Sequence, residues 1–425
     1  MAMLRPTSEM KEYLPNGWII SPLKYLVDYN QSVLSENTSA DFEFDYVDIG
    51  SVTYGKGIEK FQRILFKDAP SRARRIVNKD DVILSTVRTY LKAVAAIPYR
   101  EVPIVVSTGF LTMTAKKHLS PRFLYYAVQS EYFVDDIEAN SYGISYPAIN
   151  ASAAVNRKIV LPPILEQQAI ADYLDDRCSK IDEIIAEATE SIEEYKQMKQ
   201  SVFFEAVTKG LDKNVLMKDS GIDWSPSIPK HWNVRPISAI YRESKETGRD
   251  DLPILLVSIN TGISDREIDN DERDRKVIRS EDKNVYKVVH PNYLAYNMMR
   301  AWQGAFGAAT IDGLVSPAYV VAMPKTNVNS AYIEYLLRTS NAMEHIRGLS
   351  YGVADFRLRL YWPYFKTIKV PFPPVGEQDA IVEHIKLRTS QIDSLITEKQ
   401  SLVEDLQAYK KSLIYEVVTG KRKVV

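Results

Sequence analysis

The chain has 425 residues, of which 45% are hydrophobic and 26% charged, and these proportions are those of globular proteins rather than of disordered or collagen-like chains. Its longest apolar stretches fall short of the roughly 20 residues that a membrane span needs, and the N-terminus lacks the apolar core of a signal peptide, so we expect a cytoplasmic protein with no membrane partner. The net charge of −1 hides a local imbalance, because residues 161–211 carry 5 Lys and Arg against 11 Asp and Glu, while blocks 1–160 and 212–372 are mildly basic.

Residues 1–160 are predicted to form a globular α+β block. Short segments rich in β-branched and aromatic residues predict strands, and an amphipathic stretch near the end of the block predicts one helix. The predicted strands are 42–49, 81–87, 91–97 and 102–114, and the predicted helix is 121–134.

Residues 161–211 predict one long helix. Apolar residues step by three and four from Ile170 to Ala206, between a Pro-Pro pair at 162–163 and a glycine at 210. A helix of roughly forty residues would be on the order of 60 Å long, which is longer than one small block can bury. We interpret the stripe as one side of a coiled coil. The alternative is that each stripe packs only on its own globular block.

Residues 212–372 predict a second α+β block, and residues 373–425 predict a second long helix with the same apolar register. The domain boundaries are therefore placed at 1–160, 161–211, 212–372 and 373–425. In the second block the predicted strands are 252–259, 284–290, 293–299 and 314–323, and the predicted helix is 330–347.

The two halves of the chain are copies of one ancestral sequence. The segment PPILEQ at 162–167 aligns with PPVGEQ at 373–378, and this offset of 211 persists without a gap through both helical segments. A period above two hundred indicates a duplicated domain pair rather than a solenoid. Weaker matches precede each copy: Arg88 with Arg300, Val106-Ser107 with Val315-Ser316, and Ser141-Tyr142-Gly143 with Ser350-Tyr351-Gly352.

These motifs resemble those of a known family. The tandem Pro-Pro-x-x-Glu-Gln helices, the run MKDSGIDW at 217–224 and the run IPKHW at 228–232 are similar to the specificity subunit of Type I restriction-modification systems over essentially the whole chain. The resemblance implies two target recognition domains, each reading one half of a bipartite site in double-stranded DNA. It also implies that the two helices pair as an antiparallel coiled coil, which sets the spacing and docks two modification (methyltransferase) subunits, and that restriction subunits supply the motor and nuclease.

The chain lacks the motifs of the reactions that such complexes catalyse. Neither Pro-Pro pair carries the Asn or Asp that an amino-methyltransferase needs, and no phosphate-binding loop is present. A single cysteine, Cys178, and five scattered histidines offer no zinc-ligand spacing. We therefore expect no catalytic residue, metal site or cofactor here, and the resemblance places S-adenosylmethionine, ATP and Mg²⁺ in partner subunits. The alternative function is a coiled-coil adaptor that scaffolds other proteins and does not bind DNA.

Residues that could read DNA occupy matching places in the two globular blocks. Reading requires cations for phosphates and planar or amide side chains for base edges, on exposed loops. Arg88 and Arg300 are favoured because each ends an apolar strand. The arginine runs could instead be a solvated face, the two loop tyrosines could be packing residues, and the tryptophans at 18, 224 and 232 are interpreted as core anchors. The candidates are Arg72, Arg74, Arg75, Arg88, Tyr90, Lys92, Tyr142 and Ser145 in the first block, and Arg273, Arg275, Lys276, Arg300, Trp302, Gln303, Tyr351, Arg357 and Arg359 in the second.

Overall fold

The computed structural model describes residues 14–249, 251–259, 261–265, 283–352 and 357–424. The chain forms two compact units, of which the first combines Met1–Thr189 with Gln400–Val425 and the second comprises Glu190–Lys399. The division falls inside both long helices, α4 (Ile164–Lys209) and α9 (Val375–Val418). Each unit therefore contains part of both helices.

The first unit is built on two four-stranded sheets. One has the strand order β6-β3-β10-β7 and the other β2-β11-β8-β9, while β1 pairs with β12 and β4 with β5. All pairings are antiparallel except that of β3 with β10. The strands are β1 (Ile19–Pro22), β2 (Val27–Tyr29), β3 (Glu43–Val47), β4 (Val52–Thr53), β5 (Gly57–Ile58), β6 (Gln62–Leu65), β7 (Ala73–Val77), β8 (Val82–Ser85), β9 (Val94–Ala96), β10 (Ile104–Ser107), β11 (Phe110–Ala115) and β12 (Lys158–Leu161).

The segment 102–114, predicted as one strand, is two strands in different sheets. The chain turns at Thr108 and Gly109 between β10 and β11. A Cβ atom at Gly109 would lie 2.7 Å from Ile49 Cδ1 and 2.9 Å from Val87 Cγ2, so only glycine fits this turn without displacing its neighbours. Strand-forming residues lie directly on both sides of Gly109, which is why the prediction joined the two strands.

Two helices, rather than the one predicted over 121–134, follow β11, and the first of them packs on β8, β9 and β11. They are α1 (Pro121–Gln129) and α2 (Glu131–Ala139), followed by α3 (Ala151–Val155). Ser130 separates the first two, because its backbone is extended with φ −59° and ψ 140°. Its carbonyl oxygen accepts the N–H groups of Phe133 and Val134, and these bonds begin the next helix.

The long helices run antiparallel within the first unit. Lys410 Nζ of α9 lies 2.7 and 2.6 Å from the two carboxylate oxygens of Asp182 of α4. Nearer the start of α4, Tyr173 interacts with Arg422, which follows the end of α9. Residue numbers therefore rise along α4 as they fall along the C-terminal segment beside it. The apolar stripes close the core of the unit, with Ile170, Leu174, Cys178, Ile181, Leu413, Ile414, Val417 and Val418 all buried.

The second unit repeats this architecture. Its sheet β16-β23-β20-β21 matches β2-β11-β8-β9 in order, and the pair β15-β24 matches β1-β12. Its strands are β13 (Met217–Asp219), β14 (Ser227–Pro229), β15 (Asn233–Pro236), β16 (Tyr241–Ser244), β17 (Val257–Ser258), β18 (Gly262–Ile263), β19 (Lys287–Val289), β20 (Leu294–Asn297), β21 (Phe306–Ala308), β22 (Gly313–Val315), β23 (Tyr319–Pro324) and β24 (Lys369–Phe372). Its helices are α5 (Ile237–Ile240), α6 (Ser330–Leu337), α7 (Ser340–Leu349) and α8 (Trp362–Phe365).

Three element predictions in the second block were wrong in extent. The predicted helix 330–347 is broken between α6 and α7, as its counterpart is in the first unit. The predicted strand 314–323 is divided into β22 and β23, which enter different sheets. Within 252–259 the strand is confined to β17. Between β22 and β23 the chain turns at Pro317 and Ala318, within a segment whose two apolar halves were predicted as one strand.

The helices are also antiparallel in the second unit. Lys199 Nζ lies 2.7 Å from both carboxylate oxygens of Asp393. These residues are the repeat counterparts of Lys410 and Asp182, and Val207 joins Ile381 and Ile385 in the core. The predicted fold, two α+β domains with long helices that pair antiparallel, is confirmed.

The repeated Glu-Gln pair has a structural role at the start of each long helix. Gln167 Nε2 donates to the carbonyl oxygen of Pro162 at 2.8 Å, and its Oε1 accepts the N–H of Ser120, at the start of α1, at 2.8 Å. The side chain thereby fixes α4 to the globular part of the unit. In the second unit the same two bonds, both 2.9 Å, join Gln378 to Pro373 and to Asn329.

Candidate nucleic-acid interface

A left-handed turn places Arg88 at the surface beyond strand β8. Arg88 has φ 51° and Lys92 has φ 49°, and they flank a single helical turn at Thr89–Leu91. Positive φ costs a residue with a side chain of order 1 kcal/mol or more, so such backbone often marks a functional position. The exposed guanidinium of Arg88 lies over the ring of Tyr146, 5.2 Å from its centroid.

The loop 141–148 lies against this turn. Tyr142 and Ala148 exchange two backbone hydrogen bonds of 2.9 Å, and Gly143 has φ 113°. The Thr89 hydroxyl donates to Ser141 Oγ at 2.9 Å, which joins the loop to the turn. The side chain of Tyr142 is 83% exposed and that of Tyr146 is 67% exposed. Ser145 and Tyr90 are exposed on the same two segments, so the structure brings these candidates together with Arg88.

The second unit repeats the backbone bonds of this arrangement around Arg300, although the Arg300 backbone itself differs, with φ −128° and ψ 9°. Tyr351 exchanges backbone hydrogen bonds of 3.0 and 3.1 Å with Arg359, as Tyr142 does with Ala148. In the first unit the N–H of Ile149, the residue after Ala148, donates to the carbonyl oxygen of Thr86 at 2.8 Å. Thr86 lies two residues before Arg88. In the second unit the N–H of Leu360, the residue after Arg359, donates to the carbonyl oxygen of Met298 at 2.9 Å. Met298 lies two residues before Arg300. Arg88 and Arg300 therefore occupy equivalent places beside equivalent loops.

The structure gives Lys92 and Trp302 partners within the chain. Lys92 Nζ is 2.5 Å from Asp135 and 3.6 Å from Glu138, both on α2. Burial alone would lower the pKa of Lys92, but these two carboxylates outweigh it and raise the pKa. Trp302 packs on the core of the second unit, and its indole N–H donates to the Met299 carbonyl at 3.2 Å. Both side chains therefore have a structural role in the chain.

The arginine run of the first unit lies on β7 and the turn before it. Arg72 is exposed, and its carbonyl oxygen accepts the Thr108 N–H at 2.8 Å. It therefore borders the turn at Thr108 and Gly109, whose Gly109 carbonyl oxygen accepts the N–H of Thr86, two residues before Arg88. Arg74 stacks on Phe66 with its guanidinium 5.1 Å from the ring centroid. Arg75 is half-buried, and burial lowers the pKa of its guanidinium. Of the three, Arg72 is the most accessible to a ligand.

In the second unit some candidates are exposed and others lie outside the described residues. Gln303, Tyr351, Arg357 and Arg359 are exposed. A Cβ at Gly352 would lie 2.6 Å from the Arg357 carbonyl oxygen, so this close approach requires glycine. The candidates that fall outside the described residues are Arg273, Arg275 and Lys276.

Two residues of the first loop were not among the predicted site residues. Tyr146 supports the Arg88 guanidinium, and Ile144 forms the tip of the loop. The sequence showed only that both belong to a Gly-containing loop. The stacking distance and the exposure of the tip depend on how the loop folds back on the turn after β8.

The described residues contain no cluster of three or more His, Cys, Asp and Glu side chains that could hold a metal ion. Within the same ranges, none of the helices combines the length and the apolar character needed to cross a membrane. Cys178 is buried between the long helices of the first unit, and burial raises the pKa of its thiol to about 11.

Comparisons with known proteins agree with this architecture. Residues 15–194 match the family model of the Type I restriction modification DNA specificity domain. The Type I restriction enzyme MjaVIII specificity subunit of Methanocaldococcus jannaschii is 23% identical over 342 residues, which cover 76% of this chain and 75% of that protein.

Two solved structures share the fold at 20% identity. A chain from a study of complex assembly and conformational transition of the type I R-M system has a TM-score of 0.72, covering 96% of this chain and 99% of that one. The HsdS subunit from Thermoanaerobacter tengcongensis has a TM-score of 0.55, covering 96% of this chain and 98% of that one. The fold is that of a Type I specificity subunit. The match of residues 15–194 to the specificity-domain model and the similarity to Type I specificity subunits confirm the resemblance that the motifs predicted.

Proposed function

We propose that the chain is the noncatalytic DNA-sequence specificity subunit of a Type I restriction-modification complex. The observation that supports this most directly is the repeated placement of a strand-end arginine beside a Ser-Tyr-Gly loop. Two equivalent surfaces in one chain suit a site with two half-sequences, and each unit then reads one half of a bipartite site in double-stranded DNA.

Each surface has the chemistry of base reading. An arginine can donate two hydrogen bonds to O6 and N7 of guanine in the major groove, whereas phosphate contacts fix position without selecting sequence. Arg88 is held over Tyr146, so part of its conformational entropy is already lost before DNA arrives. The hydroxyls and amide of the adjoining turns can then contact backbone or neighbouring bases.

The paired helices give this subunit its second role. In our proposal they set the gap between the two half-sites and dock two modification subunits, to which restriction subunits add the motor and nuclease. S-adenosylmethionine, ATP and Mg²⁺ would then act in those partners, and the complex would work in the cytoplasm on cellular DNA.

A domain exchange tests independent reading. Residues 1–150 are replaced by the corresponding block of another specificity subunit, the hybrid is expressed with the modification partner, and the methylome is read by long-read sequencing. One half of the methylated sequence should change while the other half is retained. A change in both halves would contradict independent reading, and binding that ignores DNA sequence and salt would favour the adaptor function instead.

A further inference from the structure

The tip of the 141–148 loop carries an exposed apolar cluster. Ile144 has a relative exposure of 103%, and it stands between Tyr142 and Tyr146, which are also exposed. Single apolar residues on a surface are ordinary, whereas several exposed apolar side chains on one short loop indicate an interaction site. The cluster borders Arg88, so its ligand must suit an aliphatic group and a guanidinium side by side.

The loop is held in place before any ligand binds. The Tyr142–Ala148 bonds close its base, and Ser141 Oγ donates to the Ile137 carbonyl at 2.8 Å. A Cβ at Gly143 would lie 3.1 Å from the Tyr146 carbonyl oxygen, so the tip folds tightly on itself. Ile144 is therefore presented at a defined position only two residues from the tyrosine that supports Arg88.

We infer that Ile144 contacts the C5 methyl group of a thymine in the half-site that Arg88 reads, and so selects an A·T pair there. This inference rests on the proposed DNA-reading function. Thymine contributes the apolar methyl group of the major-groove edges, while the other base edges present hydrogen-bond donors and acceptors. An aliphatic side chain placed against a polar edge would remove its water and supply no bond in return.

The test begins with binding selection by the full-length chain on a pool of random duplexes, which identifies both half-sites. Each thymine of the half-site assigned to the first unit is then replaced in turn by deoxyuridine, which removes the methyl group and keeps the base pair. At one position the wild-type chain should bind about fourfold more weakly, the change that corresponds to about 0.8 kcal/mol for one buried methyl group.

Variants assign the methyl contact to a residue. Ile144→Ala should abolish the deoxyuridine penalty at that position, whereas Ile144→Val should retain most of it. Ile19→Ala, a change at another exposed isoleucine of the same unit, should leave the penalty intact. Equal melting temperatures of the variants and the wild-type chain show that the loop changes do not unfold the unit.

Four results overturn the inference, and three of them leave the proposed function standing. A half-site without an A·T pair, a selective chain that is insensitive to every deoxyuridine, or a penalty unchanged in Ile144→Ala would each exclude the methyl contact. Insertion of Ile144 between base steps would produce the second result together with increased reactivity of unstacked bases. If the selection returns no preferred sequence, the proposed function fails and the inference fails with it.

Discussion

Lys410 and Lys199 make the same ion pair at equivalent places in the two units, but their surroundings differ. The Lys410 side chain is 11% exposed, and besides Asp182 it donates to the Gly55 carbonyl oxygen at 3.0 Å. The Lys199 side chain is 33% exposed and bonds Asp393. The two ion pairs therefore allow a comparison in which Lys410 is more buried than Lys199 and makes one further hydrogen bond.

Replacing each lysine with methionine keeps most of the apolar stem and removes the ammonium group. Hydrogen bonds to charged groups contribute about 1.5–3 kcal/mol when they are shielded from water. Asp182 is 54% exposed and can regain water, so we expect Lys410→Met to lower the free energy of unfolding of the first unit by about 2 kcal/mol. The more exposed pair should contribute about 0–1 kcal/mol, which sets the expectation for Lys199→Met.

Hydrogen–deuterium exchange followed by mass spectrometry can assign the loss to a unit. Peptides covering β8 and β11 report on the first unit, and those covering β20 and β23 report on the second. Faster exchange should appear mainly in the first set for Lys410→Met, and added salt should weaken the effect of Lys199→Met more strongly. Equal losses for the two variants, or a larger loss for Lys199→Met, would refute the argument from burial.

Three further predictions follow from the candidate interface, the helices and a surface histidine. Arg88→Ala or Arg300→Ala should weaken specific DNA binding by about 1–3 kcal/mol and relax selection in one half-site, and unchanged selection on random duplexes would remove that arginine from the interface. Inserting one heptad into both helices, after positions 190 and 401, adds about 10 Å with a rotation of about 20°. The methylome should then show a gap longer by roughly three base pairs with weaker modification, and the original gap at full efficiency would mean that the helices do not set it. The pKa of His290 is raised by its bond to Asp312, with burial opposing and Glu246 adding to the rise. Its protonated form therefore stabilises the second unit fully below the unfolded-state pKa of about 6.5, and this contribution is lost as the pH rises through the higher folded-state pKa. The stability difference between wild type and His290→Gln should fall across that window, whereas a difference independent of pH would contradict the assignment.

Much of the architecture could be predicted because its signals are local or repeated. The apolar stripe from Ile170 and the Pro-Pro pair before it define the long helix without any tertiary information, and the second copy confirms the register. The breaks at Ser130 and near Thr339 could not be predicted in the same way. Serine and threonine are compatible with a helix interior, and here the tertiary contacts of two short helices decide the backbone.

The candidate site shows the same limit. The correspondence between Arg88 and Arg300 could be predicted because each follows an apolar strand at a matching position in the repeat. The contact between Arg88 and Tyr146 joins residues 58 positions apart and depends on a loop held by a left-handed glycine. The charge of Lys92 was visible in the sequence, but its partner Asp135 lies on α2, beyond three strands and α1.

The division of the long helices between the two units has a consequence for synthesis. The core around Ile170 and Leu174 is completed by Leu413 and Val417, which are synthesised more than 200 residues later. At about 5–20 residues per second, the chain between Thr189 and Gln400 takes on the order of 10 to 40 s to synthesise. Throughout this interval the nascent first unit carries an uncovered apolar stripe on α4, and a nonsense mutation near codon 400 would leave that stripe uncovered permanently. Such a truncation would leave an aggregation-prone surface exposed on a part of the protein that is already synthesised.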